Sequence, residues 1–218
     1  MAVVTGTRVR STVGLKAVMA VTGAALGLFV IAHMAGNLKF FAGPAAFDGY
    51  AAWLRRIGEP ALGPSWYLWT QRAVLLACLV AHIAAATVLA RRARRARPIR
   101  YRRRPAGAAT PRIMRWGGVI IAAFLVYHVL DLTVGVANPD FRPGRVHHNV
   151  LVDFRHWYVT AAYTIAVLAV GLHLRHGLWS AARSLGGGVS RTVANGVAVV
   201  VTAGFLAVPV AVQMGWVR

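Results

Sequence analysis

The sequence predicts an all-α integral membrane protein, a bundle of five transmembrane helices that makes one domain of residues 1–218. Three observations carry this. The chain is 58% hydrophobic with a mean hydropathy of +0.58, more apolar than a soluble domain of this size. Its apolar residues fall into runs at about 15–41, 67–90, 113–137, 157–180 and 192–216, each near the ~20 residues that cross a bilayer core as a helix. Its charge is segregated: 25 Lys and Arg face five acidic residues for a net +20, and eleven of the arginines lie in Arg91–Arg115.

The first run follows Arg8 and Arg10, has Lys16 at its start, and contains Gly23-x-x-x-Gly27 and His33. Small residues at that spacing let helices approach closely. The run is too long for a signal peptide and lacks a cleavage pattern, so it is expected to be retained. The second run opens among Trp66, Tyr67 and Trp69, carries Arg72, Cys78 and His82, and ends in the arginine-rich segment. Cys78 is the one cysteine, which excludes an internal disulfide and an iron–sulfur cluster held by this chain alone. The third run holds His128 and Asp131, the fourth His173 and, near its end, His176. The fifth has no histidine.

A +20 charge raises the question of nucleic acid. The arginines sit in a loop of 25 residues between two spans, which reads instead as a positive-inside signal, with anionic lipid or a partner subunit as its contact. Placing that loop in the cytoplasm puts the N-terminus inside and the C-terminus outside, in a bacterial cell membrane. Residues 42–66 and 138–156 then lie outside with Asp48, Glu59, Asp140 and Asp153. Trp53, Trp66, Tyr67, Trp69, Trp157 and Tyr158 gather at that outer boundary as an interfacial belt.

Four of the eight histidines lie well inside apolar runs, one in each of the first four. At about 1.5 Å of rise per residue, His33 sits roughly 27 Å and His128 roughly 22 Å from the inner face, while His82 and His173 sit roughly 12 and 10 Å from it. The depths sort them into an outer pair, His33 with His128, and an inner pair, His82 with His173. Two neutral imidazoles at one depth on separate helices can clamp a haem between them, with four macrocycle nitrogens completing six-coordinate iron. Such iron leaves no position for oxygen and suits electron transfer. Taken singly, each histidine could instead be a packing residue or a proton relay. His147 and His148 are expected to be solvated loop residues.

With those residues in place, the chain resembles the single-chain, five-helix, di-haem cytochrome b anchor of succinate dehydrogenases and fumarate reductases. The segments "AHMAGNLKFFAGPAAFDGYAAWLRRIGEP", "YHVLDL" and "LHLRHGLWSA" carry the resemblance, which extends over nearly the whole chain. The last selects His173 over His176, a ligand His followed after three residues by Gly-Leu and an aromatic. The resemblance implies two haems b, with His33 and His128 as axial ligands of the outer iron and His82 and His173 of the inner. It also implies a flavoprotein (FAD) subunit for dicarboxylate chemistry, an iron–sulfur subunit that exchanges electrons with this anchor, and a membrane quinone, menaquinone being usual for the di-haem type. In one respect the chain departs from the resemblance. Some di-haem fumarate reductases carry a glutamate, proposed as a proton route, two residues before the fourth ligand, where this chain has Gly171.

For the quinone site the outer end offers Glu59, Trp53, Tyr50, Arg72 and Asp131, with Trp66 nearby. Glu59 is a candidate proton carboxylate, against the plainer expectation that it caps a helix or pairs with Arg55 or Arg56. Arg72 and Asp131 are expected to pair with each other or with a haem propionate. Competing readings are another di-haem quinol cytochrome (b561-like, or a formate dehydrogenase or hydrogenase subunit) and a haem-free anchor or transporter whose histidines relay protons. A homo-oligomer of the complex is compatible with the sequence.

Overall fold

A computed structural model describes residues 11–96 and 110–217. The centre of the arginine-rich segment, 97–109, and the N-terminal Arg8 and Arg10 lie outside the described residues.

Helix α1 spans Thr12–Asn37 and starts at Ser11, whose hydroxyl accepts from the Gly14 amide at 3.0 Å. It tightens into a 3-10 turn, Leu38–Ala42, and stops at Gly43, where φ is +89°. Helix α2, Pro44–Arg56, begins with the residue best tolerated in a first turn. Helix α3 runs Trp66–Arg95, past the expected end of the span, because arginine is a good helix former and its stem can lie along apolar surface. Helix α4, Thr110–Val129, widens into a π-turn, Leu130–Val134, and is stopped by Gly135 at φ +88°, three residues short of the expected end. Helix α5 is the short Val146–Phe154, α6 is Trp157–Ser184, and α7 is Arg191–Gln213, capped by Ser190, which accepts from the Val193 amide at 3.1 Å.

Five stretches are long and apolar enough to cross a membrane: Thr12–Ala42, Trp66–Arg95, Arg112–Val134, Trp157–Ser184 and Arg191–Gln213. Among the described residues there is no strand. The chain is an all-α, multi-pass membrane bundle, and its outward apolar surface (Leu28, Val74, Leu76, Val80, Leu168, Val199) needs lipid rather than water around it.

Helices α1 and α6 form the middle of the bundle. They pack on each other, α3 packs on α1, α4 on α6, and α7 on both α6 and α1. Two glycines set how closely α7 approaches. A Cβ on Gly171 would overlap the Thr202 hydroxyl, and a Cβ on Gly204 would overlap the Met34 side chain. The glutamate that some di-haem fumarate reductases carry at the position of Gly171 would therefore drive α6 and α7 apart. Gly23 and Gly27 have packing roles too, against the His82 ring and Leu174.

One end of the bundle carries the described arginines of α3 and the start of α4; the other is closed by α2 and α5, here called the cap. The cap has its own apolar core of Phe40, Phe47, Val150, Phe154, Val159, Tyr163, Val208 and Val212. This corrects the reading of His147 as a solvated loop residue. It is 5% exposed, its ring stacks on Phe40 at 4.4 Å, and its amide donates to Asp48 Oδ1 at 2.8 Å. Burial lowers its pKa, an effect that the nearby Asp48 charge only partly offsets. His148 is more open and meets the Asp140 carbonyl at 3.2 Å.

Candidate functional site

The structure brings the four membrane histidines together in two pairs at two levels. Nearer the cap, His33 of α1 faces His128 of α4, with ring centroids 5.9 Å apart. Toward the basic end, His82 of α3 faces His173 of α6 at 6.3 Å. A metal–imidazole bond of about 2 Å puts two coordinating nitrogens about 4 Å apart, and roughly 1 Å more to each ring centre gives about 6 Å between centroids. Both pairs have that separation. Each ring is only half-buried, so protein atoms leave part of it uncovered. Among the described residues no cluster of three or more His, Cys, Asp or Glu could hold a bare metal ion. A pair of imidazoles suits iron whose other four ligands come from a macrocycle.

Hydrogen bonds fix the tautomer of one histidine in each pair. His82 Nδ1 lies 3.1 Å from the Met19 carbonyl. A carbonyl only accepts, so Nδ1 carries the proton and Nε2 keeps its lone pair. His128 Nδ1 lies 3.1 Å from the Tyr163 hydroxyl, which itself donates to Asp131 Oδ2 at 2.7 Å. The hydroxyl proton is thus committed to Asp131, the oxygen accepts from Nδ1–H, and Nε2 is again free. Metal-ligating histidines commonly donate their second ring nitrogen in this way, which fixes ring orientation and raises ligand basicity. His173 Nδ1 is buried without a partner. His33 is held by rings, stacked on Phe29 at 5.3 Å and beside Phe205 at 5.9 Å. Glycines give the lower pair room: a Cβ at Gly23 would stand 3.1 Å from His82 Cε1, and one at Gly118 would stand 3.8 Å from His173 Cε1. The donor set, its spacing and its tautomers fit a bis-imidazole haem at each level.

The residues considered for the quinone lie at or near the cap, but not in one cluster. Trp53, Glu59 and Arg56 line a shallow depression, in which Arg56 Nε meets Glu59 Oε2 at 3.3 Å. Tyr50 stacks near Trp53 at 5.9 Å and lies against Gly36, with the Lys39 ammonium 5.2 Å from its ring centre. The expected pairing of Arg72 with Asp131 is not formed. Arg72 points outward over Trp69, 4.9 Å from the ring, while Asp131 is fully buried against Tyr163. The reason is helix placement: α3 packs on α1 and α4 on α6, so α3 and α4 are not close neighbours although they follow one another in the chain.

Three contributors escaped the sequence reading: Met19, Tyr163 and Asp153. A backbone carbonyl leaves no signal in sequence. Asp153 does leave one, a lone carboxylate inside the apolar "NVLVDF".

Comparison of the chain with protein families, curated proteins and solved structures found no match.

Proposed function

We propose that the chain is the membrane-anchor cytochrome b subunit of a succinate dehydrogenase, carrying electrons between an iron–sulfur subunit at its basic end and a quinone at its cap end. The observation that carries this reading is the two-level arrangement of histidine pairs at 5.9 and 6.3 Å, each with one ring turned so that Nε2 is free. When bound, the two haems b would supply one-electron carriers in opposite halves of the bilayer.

The chain's own residues position and insulate. His33 and His128 would hold the cap-side iron, His82 and His173 the other. Met19 and Tyr163 orient one imidazole at each level, and Phe29 and Phe205 hold the His33 ring. The arginines ending α3 and opening α4 support a cytoplasmic basic end in a bacterial cell, where the iron–sulfur and flavoprotein subunits would dock. Dicarboxylate chemistry belongs to those partners. For the quinone, menaquinone by the resemblance, the depression at Trp53 and Glu59 is the proposed site.

A pyridine haemochrome assay on the purified chain tests this, with His→Ala variants at 33, 82, 128 and 173. Two haems b per chain are expected, one lost in either cap-level variant and the other in either basic-level variant. No haem in the parent protein would refute the reading and favour a proton-relay role. A co-purifying partner other than a flavoprotein would point to another quinol cytochrome. Unchanged quinone reduction and inhibitor affinity in both W53A and E59Q would remove the quinone from that depression.

A further inference from the structure

Beyond His128, the hydrogen-bond chain continues into a buried acidic pair. Tyr163 links His128 Nδ1 to Asp131 Oδ2. Asp131 is 0% exposed and Asp153, from α5, is 2% exposed. The two carboxyls face each other, and Asp131 Oδ1 and Asp153 Oδ2 have no hydrogen-bond partner. Among the described residues the one ion pair is Arg56–Glu59, so no described cation is paired with either acid. Two carboxylates at contact are costly to ionise together away from water, so Asp153 takes up a proton more readily than a lone carboxyl does.

The surroundings offer little else that titrates. Tyr127 of α4 and Tyr163 and Tyr158 of α6 lie around the pair. His156 lies just before α6. From α2, Asp48 is engaged by the His147 amide. From α7, the neutral Gln213 amide donates to the Phe154 carbonyl at 2.7 Å. Burial first, then the facing Asp131, raise the Asp153 pKa. A cleft of about 330 Å³ reaches Asp153 from the cap surface, lined by Tyr127, Ala137, Pro139, His156 and Tyr158 as well. At about 30 Å³ per liquid water it has room for several.

We propose that the Asp131–Asp153 pair is a proton store coupled to the cap-level histidine site, loading one proton from the cap surface when one electron arrives there. The inference rests on the proposed function, because the electron's acceptor is the iron held by His33 and His128. With haem bound, one electron would arrive there from the iron–sulfur partner, or from dithionite in the test. One O–H bond forms on Asp153 and one breaks on a hydronium ion in the cleft. Negative charge added beside His128 is felt through Tyr163 and makes a second carboxylate charge harder to keep. Asp153 takes the proton itself and reaches the metal site only through Asp131, Tyr163 and His128.

The test is a redox titration of the whole purified complex from about pH 5 to about pH 9, following both haem signals. Across the range in which Asp153 titrates, one of the two midpoint potentials should fall with pH, approaching a tenfold change per unit, about 59 mV for one electron. In D153N that slope should vanish while the other haem is unaffected, and D153E should restore it. A slope that is absent from the parent protein, or unchanged in D153N, overturns the proposal. Should D153N fail to assemble, the redox-difference infrared spectrum of the parent protein decides. A carboxylic-acid C=O band that appears on reduction and shifts in heavy water supports the proposal; its absence overturns it. A complex with two haems and flat potentials refutes this inference alone, whereas a chain without haem refutes the proposed function and this inference with it.

Discussion

Replacing Tyr163 by phenylalanine tests whether the hydroxyl holds this part of the bundle together. The hydroxyl makes two bonds, accepting from His128 at 3.1 Å and donating to Asp131 at 2.7 Å, and phenylalanine keeps the ring packing against Phe124 and Phe154. Two scales bound the cost. Hydrogen bonds between membrane helices average about 0.6 kcal/mol in double-mutant cycles, because the unfolded reference also finds partners, so two such bonds set a floor near 1 kcal/mol. A buried group left without a partner costs about 1–3 kcal/mol, more if charged, and Y163F orphans an imidazole N–H and a carboxyl oxygen. Asp131 has no exposed surface, so water cannot take over, and the upper scale weighs more. We expect Y163F to lose about 2–4 kcal/mol in reversible denaturant unfolding in detergent. Y67F, at a surface tyrosine, should stay within about 0.5 kcal/mol of the parent. A Y163F loss below about 0.5 kcal/mol would show that the chain from His128 to Asp131 is not formed in the folded protein.

Two further outcomes follow from the packing and the charges. G171A should destabilise by about 1–3 kcal/mol, since its Cβ would overlap the Thr202 hydroxyl, and T202A should recover most of that in the double variant; equal stability of G171A and the parent would contradict the close α6–α7 approach. Asp153 is raised by burial and by Asp131 to about 8, so the folded state holds its proton more tightly than an unfolded carboxyl of about 4. The resulting stability is full below about pH 4 and is lost as pH rises through about 8. Unfolding free energy should therefore fall across that range in the parent and fall less in D153N; parallel curves would show that Asp153 titrates alike in both states.

The spans were legible because an apolar run of bilayer length is a one-dimensional signal. The two histidine levels were legible because helical rise is fixed, so position in a span converts to depth. What failed was rotation and neighbourhood. Arg72 and Asp131 share a depth, but depth does not say which way a side chain points, and one faces outward while the other is sealed inside. The cap was hidden for a different reason. Segments 42–66 and 138–156 are too short and too polar to stand out as spans, yet Phe47, Val150 and Phe154, with Phe40 from the end of the first run, give them a shared core. That core buries His147 and carries Asp153 in to meet Asp131.

The arrangement of helices also explains why four single substitutions can resolve the two proposed haem sites. The cap-level pair joins α1 to α4 and the other joins α3 to α6, so no helix supplies a histidine to both levels. The contact between α1 and α6 lies between the two diagonals and uses neither pair, and α7 buttresses it with small residues, Ala194, Ala198 and Gly204, without any histidine. Removing one imidazole therefore leaves the central contact and the other level in place. If H128A emptied both levels while the chain stayed folded, the levels would be coupled through the backbone, and a bundle with two independent diagonals would be the wrong description.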